Sequence, residues 1–195
     1  LLDRPAGVTV EDAAADLEAH PMRHYPQSDA LTSLSHVLGY VGKLSPQEYE
    51  SQKTNGYRRA DEIGKTGLER SYETALRGTL GSRMNEVDAR GRVKGFAGEE
   101  RPIDGQDLTL TLDLSLQKEA EEALKEQMIR AHAMRGSVVV SDPRDGSILA
   151  LVSWPAFNNN DFTGTVSSTV YQALVKNPEQ PLFPRAIAGA YPSGS

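Results

Sequence analysis

The sequence contains no cysteine. Disulfides, thiolate metal sites and a cysteine nucleophile are therefore excluded, although the absence does not fix a compartment. Histidine is scarce too, with only His20, His24, His36 and His132. His20 and His24 have helical i, i+4 spacing, but Pro21 lies between them and no acidic cluster accompanies them. We therefore expect solvent-exposed histidines, no metal site and no cofactor.

Long apolar runs and excess positive charge are also missing. No run of about 18 apolar residues is present, so we expect no membrane span within these residues, and no signal-peptide pattern is visible. The net charge of −6 disfavours a nucleic-acid partner, because a phosphate-binding surface needs concentrated Lys and Arg. Both ends are abrupt, and Leu1 replaces an initiator Met, which indicates a piece of a longer protein.

Short elements separated by glycine and proline make up the first half of the chain. Ser45, Pro46 and Glu48 have the N-cap, N1 and N3 pattern of a strong helix start. Thr9 and Asp12 have the spacing of a capping pair. The predicted elements are a helix from Thr9 to His20, a strand from Val37 to Val41, a helix over 45–52, a helix from Leu68 to Arg77 that Gly78 ends, and two strands around a turn at 89–91.

The second half has stronger periodicity. Alternation over Asp107 to Asp113 predicts a half-buried strand, with Asp113 as the cap of the helix that follows. The near-continuous apolar runs Val138 to Val140 and Ile148 to Val152 predict a hairpin covered on both faces, with its turn at 143–146. Ser168 to Lys176 predicts a short helix. In the long helix, i, i+4 ion pairs are expected at 121/125 and 126/130, and the predicted core stripe is Leu116, Ala120, Ala123, Leu124, Met128 and Ala131.

The last residues, AGAYPSGS, are ambiguous by themselves, since Pro, Gly and Ser cluster in turns and at frayed ends. Longer stretches are more specific. GSVVVSDPRDGSILALVSWPAFNNNDF (136–162) resembles the first strands of the transpeptidase domain of penicillin-binding proteins. TLTLDLSLQKEAEEAL (109–124) resembles the strand and helix before them, and PLFPRAIAGAYPSGS (181–195) resembles the segment that ends Pro-Pro-Gly-Ser-Thr-x-Lys in that family.

The first half resembles the non-catalytic pedestal of class B penicillin-binding proteins. The matching stretches are RHYP (23–26), HVLGYVG (36–42), IGKTGLERSYETALRGTLG (63–81) and the Arg-Gly-Arg turn (90–92). The likeness is best to the elongation-specific peptidoglycan D,D-transpeptidases. It implies an α+β fold with a dimerisation or pedestal domain over 1–104, followed by the N-terminal part of a transpeptidase domain over 105–195.

By this resemblance Ser195 is the acyl-enzyme nucleophile, the first residue of Ser-x-x-Lys. A serine hydroxyl needs a base within hydrogen-bond reach, and on a helix a Lys three residues on lies beside it. That Lys and the other catalytic motifs are not in this chain, so we expect the chain alone to be inactive. Two local departures, Pro184 for Asn and Ser193 for Pro, affect loop geometry and remove no reacting group.

Other polar candidates have simpler interpretations. Ser141, Asp142 and Ser153 are interpreted as polar residues at strand ends, and Glu69 and Arg70 as salt-bridge or packing residues of the pedestal.

The implied partners are D-Ala-D-Ala stem peptides of peptidoglycan, β-lactams, and a membrane glycan polymerase with other elongation-complex proteins that contact the pedestal. The implied location is the periplasmic side of the inner membrane, with an N-terminal transmembrane anchor upstream. Two alternatives stay open. The chain could serve as a pedestal that binds proteins without chemistry of its own, or as an unrelated α+β adaptor with a chance motif.

Overall fold

The structure is a computed structural model that describes residues 7–12, 24–88, 90, 92–164 and 166–191. These residues form two compact units, one built from 7–12 with 74–108 and the other from 24–73 with 109–191. The units therefore alternate along the chain, whereas the predicted domain boundary at residue 104 divides it once. That boundary stays a prediction.

Helices and strands are mixed throughout the described residues, in agreement with the predicted α+β class. The strands are β1 (Gly7–Asp12), β2 (Val41–Lys43), β3 (Glu62–Gly64), β4 (Ser82–Val87), β5 (Val93–Glu100), β6 (Gly136–Ser141) and β7 (Ile148–Trp154). The helices are α1 (Pro26–Ala30), α2 (Ser35–Leu38), α3 (Pro46–Gln52), α4 (Gly67–Ser71), α5 (Glu73–Leu76), α6 (Leu114–Arg130), α7 (Ser168–Lys176) and α8 (Arg185–Ala188).

The first unit contains an antiparallel sheet in the order β1-β4-β5, with Thr9 opposite Asn85. The predicted helix from Thr9 is therefore wrong over the residues up to Asp12, and its remainder lies outside the described residues. Cross-strand pairing outweighs the local capping pattern here, and the β-branched run Val8, Thr9 and Val10 is the strand signal that this prediction underweighted. Strands β4 and β5 confirm the predicted pair, while residues 89 and 91 of the predicted turn lie outside the description.

Glycine positions explain two further differences. The predicted strand from Val37 is wrong up to Leu38, which ends α2, because Gly39 has a φ of 75° and only then does β2 begin. The predicted helix from Leu68 to Arg77 is two short helices, α4 and α5, interrupted at Tyr72. Gly78 has a φ of 69°, in agreement with the predicted stop.

The predicted strand from Asp107 to Asp113 is also wrong. These residues form no strand, and only their end touches the sheet of the second unit. The Thr111 hydroxyl donates to the Ile148 carbonyl at 2.6 Å, and the Asp113 amide donates to the Leu149 carbonyl at 2.9 Å. The Thr111 hydroxyl thus makes a hydrogen bond of the kind that a backbone amide would make if these residues formed a strand beside β7. Asp113 caps α6 as predicted, because its carboxylate accepts from the amides of Ser115 and Leu116.

The second unit contains the β6–β7 hairpin, the paired strands β2 and β3, and helix α6 packed on the hairpin. Its core is formed by Ala120, Ala150 and Val152, with Leu116, Leu124, Val138 and Val140 against them. The hairpin, α3 with its capping box, α6 and α7 confirm their predictions. In the described part of the chain, Val139 is 49% exposed, so the cover expected on both faces of the hairpin is partial.

The buried face of α6 differs from the predicted stripe. Ala123 and Ala131 are exposed, whereas the polar residues Gln117 and Glu121 are buried. Both predicted ion pairs of this helix are present, and Lys125 pairs with Glu121 at the edge of the buried face. Of the helices that the structure describes, none has the length and apolar content needed to cross a bilayer.

Candidate functional site

Ser195, the predicted nucleophile, lies outside the described residues. What the structure describes is the chain that precedes it, which we call the C-terminal segment (residues 179–191). This segment contains a turn at 179–183 and helix α8. The described contacts of the segment therefore define the candidate site.

Arg185 forms side-chain hydrogen bonds to the backbone of its own C-terminal segment. Its side chain is buried, and one guanidinium nitrogen donates to the carbonyls of Gln180 at 2.9 Å and Phe183 at 3.3 Å. A second nitrogen donates to the Glu179 carbonyl. Burial lowers the pKa of Arg185, but a guanidinium stays charged in proteins. A rigid planar donor group thus ties three carbonyls to the first residue of α8.

Ser153, at the end of β7, connects the segment to the hairpin. Its side chain is buried, and the hydroxyl accepts a hydrogen bond from the Ala186 amide at 3.0 Å. The Ala186 amide lies in the first turn of α8, where amides have no partner within the helix. The interpretation of Ser153 as a polar residue at a strand end therefore agrees with its place. Its hydroxyl additionally fixes where α8 begins relative to β7.

His36, at the N-terminal end of α2, holds the turn of the segment from the other side. Its Nε2 lies 2.8 Å from the Pro181 carbonyl oxygen, and its ring packs edge-on against Phe157 with 5.3 Å between centroids. Burial lowers the pKa of His36 to about 4, and the charge of Arg185 acts in the same direction. The ring is therefore neutral near pH 7, and its one N–H donates to Pro181.

The expectation of solvent-exposed histidines is thus wrong for His36. It is correct for His24, which lies 3.2 Å from Asp29 with both side chains more than half exposed, and for His132. His20 lies outside the described residues. Within the part of the chain that the structure describes, no group of three or more His, Cys, Asp or Glu side chains is arranged to hold a metal ion.

The Asn loop (residues 158–162) joins two of the sequence motifs. Asn159 is fully buried, and its amide group donates to the carbonyls of Ser35 at 3.1 Å and of Gly39, while its oxygen accepts from the Ser28 hydroxyl at 2.6 Å. Asn160 exchanges two hydrogen bonds with the backbone of Tyr25. The stretch after β7 is therefore bound directly to the RHYP and HVLGYVG stretches.

Close backbone contacts explain one glycine in each of two motifs, HVLGYVG and the stretch that begins IGKTGLE. A Cβ on Gly39 would lie 1.9 Å from the Thr66 carbonyl oxygen, and one on Gly64 would lie 2.1 Å from the Glu69 carbonyl oxygen. Side chains at these positions would overlap the backbone. The HVLGYVG and IGKTGLE stretches therefore require glycine because their main chains touch.

The carboxylates of Glu69 and Glu73 accept hydrogen bonds from other parts of the fold. Glu69 is buried and accepts from the Tyr25 hydroxyl at 3.1 Å, which agrees with its interpretation as a packing residue, whereas Arg70 is exposed. Glu73 accepts from the Tyr57 hydroxyl at 2.6 Å and from the Gly64 amide at 2.8 Å.

At the hairpin turn, Asp142 pairs with Arg144, and Ser141 is exposed at the end of β6. The carboxylates of Glu69, Glu73 and Asp142 therefore make structural contacts.

Gln117 on α6 is a buried polar residue that the sequence pattern did not predict. This residue is fully buried, and its side chain donates to the Ser33 hydroxyl and the Leu151 carbonyl, both at 2.9 Å, and accepts from the Leu151 amide at 2.8 Å. One turn further on, Glu121 accepts from the Ser33 amide at 3.2 Å. Polar residues on a helix usually face solvent. The sequence contained one indication of this burial: Gln117 and Glu121 have i, i+4 spacing and lie next to the apolar residues Ala120 and Leu124 on the same helix.

A cavity of about 530 Å³ lies beside α2 and the C-terminal segment. The residues that line it include His36, Tyr40, Leu68, Phe157, Pro184 and Ile187. The C-terminal segment thus contributes residues to the lining of this cavity. The described part of the segment ends at Tyr191, and the assignment of Ser195 as the nucleophile stays a prediction.

Comparison with known proteins identifies the family. Residues 11–110 match the family described as the Penicillin-binding Protein dimerisation domain, and the chain therefore belongs to that family. Within class B penicillin-binding proteins, it is similar to the N-terminal region of PBP2, the peptidoglycan D,D-transpeptidase MrdA. The chain is 40% identical to MrdA of Acinetobacter baumannii over 179 residues, which are 92% of this chain and 25% of that protein.

Solved structures show the same likeness. The crystal structure of Pseudomonas aeruginosa PBP2 in complex with WCK 5153 has a TM-score of 0.70 at 35% identity, covering 89% of this chain and 32% of that one. The complex between PBP2 and MreC from Helicobacter pylori has a TM-score of 0.68 at 34% identity, covering 84% of this chain and 29% of that one. The chain thus spans about a quarter of the length of the curated relative.

Proposed function

We propose that this chain is part of a serine-type peptidoglycan D,D-transpeptidase that binds β-lactams and cross-links stem peptides during cell elongation. The observation that carries the proposal is 40% identity to a named peptidoglycan D,D-transpeptidase across 92% of the chain. In the described structure, His36, Ser153 and Arg185 converge on the segment that runs toward Ser195. A prepared support of this kind suits a nucleophile that must be held in place.

The proposed chemistry assigns the attacking hydroxyl to Ser195. The serine attacks the carbonyl of the penultimate D-Ala of a D-Ala-D-Ala stem, the terminal D-Ala leaves as an amine, and an amine of a neighbouring stem then takes the acyl group. A Lys three residues beyond Ser195 in the intact protein would accept the serine proton. A β-lactam carbonyl would acylate the same oxygen by opening its ring.

Labelling with a fluorescent penicillin tests the proposal in the intact protein. We expect one label per molecule, located at Ser195 by mass spectrometry, and no label in Ser195→Ala. Ser141→Ala, which changes an exposed serine at the end of β6, is the matched control and should be labelled like the wild type. An adduct on another residue, or full labelling of Ser195→Ala, would overturn the assignment.

The 195-residue chain alone should not be labelled. It contains the candidate serine but lacks a Lys three residues further on. Acylation needs the attacking atom held about 3–3.5 Å from the carbonyl, with a base beside it. Stoichiometric labelling of this chain at Ser195 would show that the downstream motifs are dispensable.

A second function, protein binding through the dimerisation domain, is favoured by the solved complex between PBP2 and MreC from Helicobacter pylori. We propose that residues 1–104 contact other proteins of the elongation complex, including a membrane glycan polymerase, on the periplasmic side of the inner membrane. The intact protein would be anchored there by an N-terminal transmembrane helix.

Co-purification from membranes tests this second function. The intact protein should retain the polymerase, and a variant with residues 1–104 replaced should not. Equal retention by both proteins would contradict binding through this region. Penicillin labelling of the same samples separates a loss of binding from a loss of folding.

A further inference from the structure

The cavity beside α2 has the size of a small-molecule site. Its volume of about 530 Å³ lies within the range of about 300–1,000 Å³ that such sites usually have. Every residue that lines it belongs to the unit built from 24–73 and 109–191. The cavity is therefore a feature of one compact unit, and it can be described from residues that the structure places.

Most of the lining is apolar. The rings of Tyr40 and Phe157 pack edge to face with 6.1 Å between centroids, and both line the cavity. The aliphatic side chains of Leu68, Leu182 and Ile187 also line it, and Ile187 is 63% exposed. A ligand with an apolar body would gain by leaving water for these side chains.

Polar side chains in the lining come from one short stretch and comprise Lys65, Thr66, Arg70 and Ser71. Lys65 is already paired, because its Nζ lies 2.6 Å from a carboxylate oxygen of Glu48. Arg70 is exposed, and none of the ion pairs or side-chain hydrogen bonds between described residues involves its guanidinium. The cavity therefore has a cation at its lining that is available to a ligand.

The charge of the lining has one sign. Lys65 and Arg70 are cations, His36 is neutral near pH 7, and the described residues that line the cavity include no aspartate or glutamate. This is a local reversal in a chain whose net charge is −6. A guanidinium binds a carboxylate through two parallel N–H···O bonds, so a carboxylate is the anion that Arg70 fits best.

We infer that this cavity binds a small organic carboxylate with an apolar body. The carboxylate pairs with Arg70, and the apolar body packs against Tyr40, Leu68 and Phe157. The inference goes beyond the proposed function and does not depend on it, because it assigns a non-covalent site to residues that the structure describes. The hydroxyls of Thr66 and Ser71 are further donors in the lining for the carboxylate oxygens.

Two fluorescent probes test the inference in the intact protein. Dansylglycine carries a carboxylate on an apolar ring system, and dansylamide has the same ring system without the carboxylate. The protein is first treated with benzylpenicillin, so that a β-lactam site is occupied before the titration. We expect dansylglycine to bind saturably at one site per molecule, and dansylamide to bind about fivefold more weakly or less well still.

Three variants locate the bound probe. Arg70→Gln should raise the dissociation constant of dansylglycine about fivefold and leave that of dansylamide unchanged, because only the ion pair is lost. Ile187→Trp adds volume at an exposed lining position and should weaken both probes. Arg101→Gln, at an exposed arginine that does not line the cavity, is the matched control and should bind both probes like the wild type. Thermal melts establish that each variant is folded.

Absence of saturable dansylglycine binding to the treated protein would overturn the inference. Equal affinities for the two probes, or equal effects of Arg70→Gln and Arg101→Gln, would overturn it as well, because the carboxylate would then have no partner at Arg70. Binding that benzylpenicillin abolishes would assign the probe to the β-lactam site and have the same consequence. Penicillin labelling of the untreated protein is measured separately, so a failure of the proposed function is recognised independently of these titrations.

Discussion

Asn159 and Ser28 are 131 positions apart, yet their side chains share a hydrogen bond of 2.6 Å and both are fully buried. The bond belongs to a polar contact in which Asn159 also binds the carbonyls of Ser35 and Gly39. It joins the loop after the β6–β7 hairpin to the chain around α1 and α2. Residues before position 74 and after position 108 are thereby built into one unit.

Asn159→Ala should lower the free energy of unfolding of this unit by about 3 kcal/mol. The substitution leaves two buried carbonyls and a buried hydroxyl without this partner, and each such group costs about 1–3 kcal/mol. Urea denaturation measures the change. Asn55→Ala, at an exposed amide beyond α3, should stay within about 0.5 kcal/mol. Similar small losses at both positions would show that the Asn159 contacts are dispensable.

Gly39→Ala should destabilise the protein by at least about 3 kcal/mol. The new Cβ would lie 1.9 Å from the Thr66 carbonyl oxygen, and the φ of 75° with a ψ of −164° is a conformation that only glycine adopts readily. Gly56→Ala is the matched control, because Gly56 also has positive φ but nothing lies within 4 Å of its Cβ position. Its cost should be about 1–2 kcal/mol. Thermal melts would contradict the argument if the two variants lost equal stability.

Leu124→Ala should lower the free energy of unfolding by about 2 kcal/mol, the low end of the range for leucine truncation. Leu124 is half-buried and packs against the core of Ala120, Ala150 and Val152. Its Cδ1 lies only 2.9 Å from the position that a Cβ on Gly136 would take. Ile129→Ala, at a side chain that is 76% exposed, should change stability by less than about 0.5 kcal/mol. A reversed order of the two losses would mean that α6 presents another face to the hairpin.

Stability should fall as the pH drops from about 6.5 to about 4, because of His36. Its pKa is 6.5 in an ordinary setting and about 4 in the folded protein, so the unfolded chain takes up a proton first. The contribution is intact above pH 6.5 and lost below pH 4, and it amounts to roughly 3 kcal/mol. Urea denaturation at pH 7.5 and pH 5 should show about 2 kcal/mol of this loss, because pH 5 lies only about 1.5 units below the pKa in the unfolded chain. His36→Phe should lose this part of the pH dependence, and an unchanged pH profile in that variant would assign the effect to other groups.

Local patterns predicted the elements whose signals are complete within a few residues. The capping box of Ser45 and Glu48 forms as expected, and α6 begins at its Asp113 cap. The β6–β7 hairpin and α7 also match their predictions. In each of these elements the side-chain pattern and the backbone preference favour the same structure, and tertiary contacts did not change it.

The incorrect predictions are those in which contacts distant in sequence decide the structure. Thr9 to Asp12 form a strand because β4 pairs with them. Asp107 to Asp113 alternate like a strand, yet hydrogen bonds from Thr111 and Asp113 bind only the beginning of β7. A single stretch of sequence does not state which partner it will meet.

For the candidate site, too, some features could be predicted from the sequence and others could not. The sequence by itself determined the resemblance to penicillin-binding proteins, because the motifs and their order along the chain do not depend on the fold. From that resemblance it determined Ser195 as the candidate nucleophile. Only the tertiary structure decided that His36 is buried and donates to Pro181, and that Gln117 and Asn159 are buried with satisfied partners. The physical reason is that a polar side chain can be buried only where distant backbone groups complete its hydrogen bonds, and those groups come together only in the folded chain.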